Sequence, residues 1–365
     1  MAAYATKLAE AFSSTVTREL YARALFDDVV NRDYEGDING VGSICNILSF
    51  DKLVEKDYTG ANLTVDDLTE SNGQLVIDKN KSFYFRIKSI DKFKSYIKDP
   101  RPILKEQSFQ ERKKNIDLYV LGKYASVAAG NRVGTDYTTG TVTVTVTTGA
   151  VAGSGTTFTS AMVGRGFKAA GHTSWYRVKS FASTTSIVIE DDKDDIASAY
   201  TGGAIGGGAT YVVEANTPLA ITRALLAGYI GQIKQKMDTL EVPEEDRILV
   251  LPTEVANLIP GATGILLNVP AAYEELVKKG FITQLAGFKI FSSARLSGDN
   301  TNGYHALAIQ RNWQTFADKV LEAEVEETLI GNFGIAYKDL YVYGSKVKDN
   351  RRKFAAELFC TGSWA

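Results

Sequence analysis

The sequence predicts an α+β protein with an all-β block set into its middle, and three stretches carry that prediction. Residues 99–129 show helical spacing of apolar side chains. Residues 131–215 hold a strict period-two run at Thr141–Val146, further strand-like runs and glycine punctuation. Residues 216–365 mix short helical and strand patterns. The two periods, about 3.6 and 2, report which face of each element meets a core.

The first stretch, 1–98, opens with Leu20, Ala24 and Val29 at helical spacing and then turns through Arg32-Asp33-Tyr34-Glu35-Gly36-Asp37-Ile38. Alternation follows at Ser43–Ile47, Gln74–Asp78 and Ser82–Ile87, with an acidic, turn-rich loop over 51–73. This predicts a two-stranded arm with a loop at its tip. Asp99-Pro100-Arg101-Pro102 then starts a helix, because proline is tolerated in a first turn. Phe109, Ile116, Val120, Tyr124 and Val127 continue the helical spacing to Ala129, before Gly130. Such a helix would be about 40 Å long.

Thr141-Val142-Thr143-Val144-Thr145-Val146, Ser186–Ile189 and Thr210–Val213 read as strands of a compact β unit of about 80 residues, a size able to fold alone. Beyond it, Thr217-Pro218 predicts a helix carrying Ile221, Leu225, Ile233 and Met237. Arg247–Leu251 reads as a buried strand, Thr253 as the cap of a short helix, and Pro270 as the start of another that stops at Gly280. Strands are expected at Phe288–Phe291, His305–Ile309, Val320–Ile330 and Phe354–Cys360.

Composition narrows function by exclusion. The 365 residues are 44% hydrophobic and 23% charged, so the chain can bury a core. A net charge of -2 argues against a tight nucleic-acid coat, which needs a basic excess to neutralise phosphates. Cys45 and Cys360 fit no metal spacing and read as two reduced thiols. No apolar run has the length of a membrane span, and the N-terminus lacks a signal-peptide core. The two histidines, His172 and His305, sit in no catalytic or metal motif. Gly153–Thr157 lacks the lysine of a phosphate loop, and Gly202–Gly208 reads as a turn. Asp191-Asp192-Lys193-Asp194-Asp195 reads as a solvated turn rather than a calcium loop. No catalytic residue, metal ligand or cofactor site is expected, and no cleft should collect ionisable groups with shifted pKa values.

Charge is segregated along the chain. Acids dominate from Asp27 to Asp78, including Asp51, Glu55, Asp57, Asp66, Asp67 and Glu70, opposed by Arg32, Lys52 and Lys56. From Lys79 to Lys114 the balance reverses, with Lys92, Lys94, Lys98, Arg101, Arg112, Lys113 and Lys114 among the bases. The blocks could pair within one fold or between copies. Their segregation favours pairing between copies over two solvated faces.

The order of these elements resembles the major capsid proteins of tailed bacteriophages, which share the Hong Kong 97-like capsid fold. The resemblance rests on Phe26–Ile38, on the helix from about Pro102 to Ala129, on Arg247-Ile248-Leu249-Val250-Leu251-Pro252-Thr253-Glu254-Val255, on Gly280–Ser293 and on Asp339–Val347. It implies an N-terminal arm at 1–40 and an extended E-loop at 41–98. The spine helix of the P domain would fall at 99–130, the A domain at 216–313, and the return to the P domain with the C-terminal strands at 314–365. The block 131–215 is an addition to the minimal fold, and Gly153–Thr159 through Ser186–Ile189 are similar to small β domains of phage virion proteins.

The resemblance further implies a structural, non-enzymatic protein of the virion, assembled in the host cytoplasm into hexamers and pentamers. Its partners would be its own copies, a portal, packaged double-stranded DNA held without sequence recognition, and a decoration protein. Because the chain starts directly with the arm, a separate scaffolding protein is expected. Some members join an E-loop lysine to an asparagine near the C-terminus. No motif aligns Lys52, Lys56 and Asn350 with that chemistry, so a denaturing gel of mature particles should show no covalent ladder. An encapsulin-like compartment, a β-rich tail or surface protein, and an enzyme of another type are the competing readings.

Overall fold

The computed structural model describes residues 24–33, 44–50, 55, 70–88, 101–193, 199–259, 262, 281–326 and 334–363. The expected helix from Pro270 to Gly280 and most of the loop over 51–69 lie outside these residues.

A short helix, α1 (Phe26–Val29), buries Phe26 and Val29. The alternation expected at 43–47 and 74–78 falls on β1 (Ile44–Phe50) and β2 (Glu70–Val76), the second beginning inside the expected 51–73 loop. The two are antiparallel, with Ile44 opposite Val76 and Phe50 opposite Glu70. Strand β3 (Lys79–Lys88) follows. The spine-like helix α2 runs Arg101–Leu121, about 31 Å at 1.5 Å per residue, and buries Ile116 and Val120 one turn apart. It is shorter than the expected reach to Ala129. A 3-10 helix, Gly122–Ser126, replaces its last turns. There the carbonyls of Ala125, Ser126 and Val127 accept from the guanidinium groups of Arg132 and Arg352, so they need no helical partners.

The middle of the chain forms one eight-stranded sheet. After β4 (Arg132–Val133) come β5 (Thr135–Tyr137), β6 (Thr141–Val144), β7 (Ala150–Ser154), β8 (Gly166–Ala169), β9 (Tyr176–Ser183), β10 (Ser186–Asp191), β11 (Ile205–Ala209) and β12 (Tyr211–Thr217). Their order is β11-β6-β7-β10-β9-β8-β12-β5, without β4. The alternation points Val142 and Val144 inward with Val151, Phe167, Val178 and Ile187. Strand β6 stops two residues earlier than its sequence pattern, because Thr145–Gly149 closes a turn with Thr147 at φ 73° and the Gly149 amide donating to Thr145.

Most of the remaining strands build the main sheet. They are β13 (Leu219–Ile221), β14 (Arg247–Leu251), β15 (Phe281–Leu285), β16 (Phe288–Ser292), β17 (Gly298–Asp299) and β18 (Gly303–Gln310). Two long strands, β19 (Gln314–Glu326) and β20 (Gly334–Val347), come next, and β21 (Ala355–Gly362) closes the chain. The main path is β13-β21-β18-β14-β16-β15, with β4 beside β21 and β17 beside β18. The apolar run of β14 is buried along its whole length, as a central strand requires. Helix α3 (Leu226–Thr239) covers the sheet with Leu226, Ile230, Ile233 and Met237, and α4 (Thr253–Ala256) follows β14. The helix expected at Thr217-Pro218 begins instead at Leu226. Residues 219–221 pair in parallel with β21, which satisfies their backbone before a helix can. Strands β19, β20 and β3 form a third sheet, and β19 runs alongside β20 from Gln314↔Val347 to Glu326↔Ala336.

The apolar core is divided. The body cluster gathers α2, α3 and the main sheet. The β module holds its own cluster. A small one, Ile47, Leu75, Ile77, Ala317 and Val342, seats the β1–β2 arm on the long hairpin. Phe158, Tyr176 and Tyr200 belong to the module core. Trp175 packs against Gly130, where any Cβ would come within 2.7 Å of its Nε1.

Candidate functional site: assembly surfaces and a buried junction

Asp51, Asp57, Asp66, Asp67, Lys92, Lys94 and Lys98 lie outside the described residues. Glu55 is exposed. Glu70 ends the arm opposite Phe50, and Arg101 opens α2. Arg112 turns into the chain. Its side chain is 10% exposed, pairs with Asp339 on β20 and lies 4.3 Å from the Tyr341 ring centroid. It therefore fastens α2 to the third sheet. Lys113 lies over Phe109 at 4.5 Å, and Lys114 sits 3.3 Å from Glu111. Large apolar side chains stand exposed on the same elements: Phe109 and Leu118 on α2, Tyr84 on β3, Ile44 and Val76 on the arm, Val320 on β19.

The root of the N-terminal segment is pinned by one carboxylate. Asp117, on α2 and wholly buried, accepts the amides of Leu25 (3.0 Å) and Phe26 (2.8 Å) and pairs with Arg295 at 2.6 Å. Burial pushes its pKa up, against the pull of Arg295 and the two amides. Asn31 then bridges to Thr315, and Arg32 pairs with Asp27 and Asp318. No sequence spacing links position 117 to position 25.

A second polar cluster lies where the β module meets the body. It borders a cleft of about 360 Å³ lined by Tyr124, Arg132, Arg165, His305, Glu357 and Phe359, among others. Glu357 of β21 is fully buried. It takes Arg165 at 2.8 Å, His305 Nδ1 at 2.6 Å and Arg132 at 3.2 Å. Burial would push its carboxyl up, but the His305 hydrogen bond and the two guanidinium charges outweigh burial and hold it at about 2. Glu214 of β12 lies 3.7 Å from Arg132 and accepts the Gly130 amide at 2.7 Å. Burial dominates there and raises its pKa to about 7. The expectation that no cleft gathers shifted groups is thus overturned. It failed because residues 132, 165, 214, 305 and 357 share no local pattern. The groups are engaged with one another: His305 is stacked between Tyr124 and Phe359, with centroids 3.7 and 4.8 Å away.

His172 is a satisfied core histidine. Its Nδ1 accepts the Ala169 amide at 3.2 Å, its Nε2 meets the Tyr200 hydroxyl at 2.8 Å, and burial lowers its pKa. Asp192 is not the solvated turn residue the sequence suggests. It accepts the Ala129 amide and pairs with Arg352, both at 2.7 Å. Among the described residues no group of three His, Cys, Asp or Glu side chains is placed to hold a metal ion, and no helix is long and apolar enough to cross a membrane. Cys45 and Cys360 are not joined in a disulfide.

No protein-family model matches the sequence, and no curated protein is similar to it. Solved structures are similar over almost their whole length. The capsid structure of cyanophage P-SCSP1u matches with a TM-score of 0.58 at 14% identity, over 98% of this chain and 94% of that one. The capsid asymmetric unit of cyanophage Pam1 gives 0.58 at 11% identity, over 99% of both chains. The chain has the fold of tailed-phage capsid proteins. A chain of Mycobacterium phage Che8 agrees, with a TM-score of 0.59 at 16% identity over 97% of this chain and 98% of that one. The capsid fold accounts for the mixed α/β body with its long helix α2, as the order of elements in the sequence implies.

Proposed function

We propose that the chain is a major capsid protein that assembles with its own copies into the icosahedral head of a tailed phage. The likeness in fold to phage capsid chains over nearly the full length of both partners carries this reading. On it, the exposed apolar side chains of the arm, α2 and β19 become contacts between copies, because an isolated two-stranded arm is marginal in water. Its subunits form pentamers and hexamers, with a scaffolding protein during assembly, a portal, enclosed double-stranded DNA and a decoration protein as further partners. Electron microscopy of the protein expressed with its scaffold tests this. Closed icosahedral shells are expected. A persistent monomer at high concentration overturns it, and protein cargo in place of DNA inside phage-derived particles favours an encapsulin-like compartment.

Within that reading, residues 131–215 are a β domain inserted after the spine helix and facing outward. The module carries no basic stripe for phosphates. Arg165 is buried against Glu357, and Arg177 and Lys179 pair with Glu190. The acids Asp51 to Glu70 of one copy meet bases of the Lys79 to Lys114 block of the next, apart from Arg112, which is paired with Asp339 inside its own chain. Limited proteolysis of intact particles reads the module's side. Cleavage within 201–208, where Gly206, Gly207 and Gly208 are exposed, with the shell still closed, supports an outward module. Cleavage that waits until the shell is opened overturns it.

A further inference from the structure

The β module joins the body by two chain crossings that lie side by side. Gly134 and Ala215 approach so closely that a Cβ at 134 would stand 2.6 Å from the Ala215 Cα. On the body side, β4 and β13 each pair in parallel with β21, so the module is rooted on the edge of one strand. A two-strand stalk does little by itself to fix direction. An apolar seam would fix it loosely, because dispersion and hydrophobic contact are non-directional. The module and body clusters, however, share no member among the described residues.

What crosses the seam is polar and directional. The module contributes Arg165 to Glu357, Glu214 to Arg132 and to the Gly130 amide, and the Gly164 carbonyl to Arg132 at 2.7 Å. At a second point it contributes Asp192 to Arg352 and to the Ala129 amide. Arg132, Glu214, Glu357 and Arg352 are each buried. Gly166 leaves room for this, since a Cβ there would meet Glu214 Oε1 at 2.2 Å. Buried ion pairs add little net stability over apolar packing, yet a misoriented one leaves uncompensated charge. Such a seam penalises wrong geometries more than it rewards contact.

We propose that this cluster is an ionic clasp that holds the β module in a single orientation on β21, and along which the module detaches as an intact unit when the clasp is broken. Its parts are Arg165–Glu357 with Arg132–Glu214 at one point and Asp192–Arg352 at the other. The inference is independent of whether the chain builds a shell.

Hydrogen exchange on the full-length chain tests it, comparing wild type with Asp192→Asn, Arg165→Met and the double variant. The amide to read is Gly130, which donates across the seam to Glu214, a residue left intact in all three. Its exchange should accelerate about tenfold in the double variant, while β9 and β10 of the module and β14 and β18 of the body keep wild-type protection. Unchanged exchange at Gly130 overturns the proposal. Loss of protection spread evenly through both cores overturns it as well, since the cluster would then be an ordinary contact within one cooperative unit. If Arg165→Met does not fold, Asp192→Asn alone carries the same two readings.

Discussion

Asp117 illustrates how one side chain can hold a segment distant in sequence. Its carboxylate, itself wholly buried, meets the Leu25 and Phe26 amides and the Arg295 guanidinium. Asp117→Ala would strand a largely buried cation and two amides, a loss of about 3–5 kcal/mol. Urea unfolding of the unassembled subunit should show it, and Asp117→Asn, which retains an acceptor, should cost less. At the junction, two carboxylates titrate in opposite senses. Glu357, held at about 2, contributes stability above its ordinary value near 4.5 that is lost as the pH falls toward 2. Glu214, raised to about 7, favours the folded state in its protonated form, an advantage present below 4.5 and lost as the pH rises through 7. Glu214→Gln mimics the protonated acid. Its stability relative to wild type should therefore increase between about pH 5 and about pH 8, measured by thermal unfolding across that range. A constant difference would refute the assignment.

Among the elements, the crossing at Gly134 offers the sharpest test of close packing. Gly134→Ala places a methyl against the Ala215 backbone and should cost about 1–3 kcal/mol, while Gly203→Ala, with open space around it, should stay within about 0.5 kcal/mol. Thermal melts of both variants decide it. The alternation of β6 was readable because it records a single buried face. Of the residues expected on the helix after Thr217-Pro218, Ile233 and Met237 lie on the buried face of α3, whereas Ile221 falls on β13 and Leu225 is exposed. The end of α2 was not readable, because it depends on Arg132 and Arg352 taking carbonyls that the helix would otherwise use. Nor was β13, whose partner strand lies more than a hundred residues further along the chain.

For the whole molecule, the proposed pairing of the charge blocks between copies would act on assembly rather than on folding. Exposed pairs contribute about 0.2–1 kcal/mol each, but a shell repeats them in every copy. Reversing Asp66 and Asp67 to lysine should lower particle yield while leaving the unassembled subunit folded by circular dichroism. Normal yield would remove the charge blocks from the account. Arg112 belongs to a different class from its sequence neighbours, because its guanidinium is already paired with Asp339 inside the chain.

By itself the sequence determined the succession of arm, long helix, β block and mixed α/β region, and with it the resemblance to the capsid fold. Those features are written in local periodicity, in prolines and glycines at turns, and in the order of elements. Tertiary structure alone decided the Asp117 anchor, the clasp of Arg132, Arg165, Glu214 and Glu357, and the second tie at Asp192. The physical reason is that an ion pair is defined by distance in space. A buried charge leaves no periodic trace of which distant residue will neutralise it.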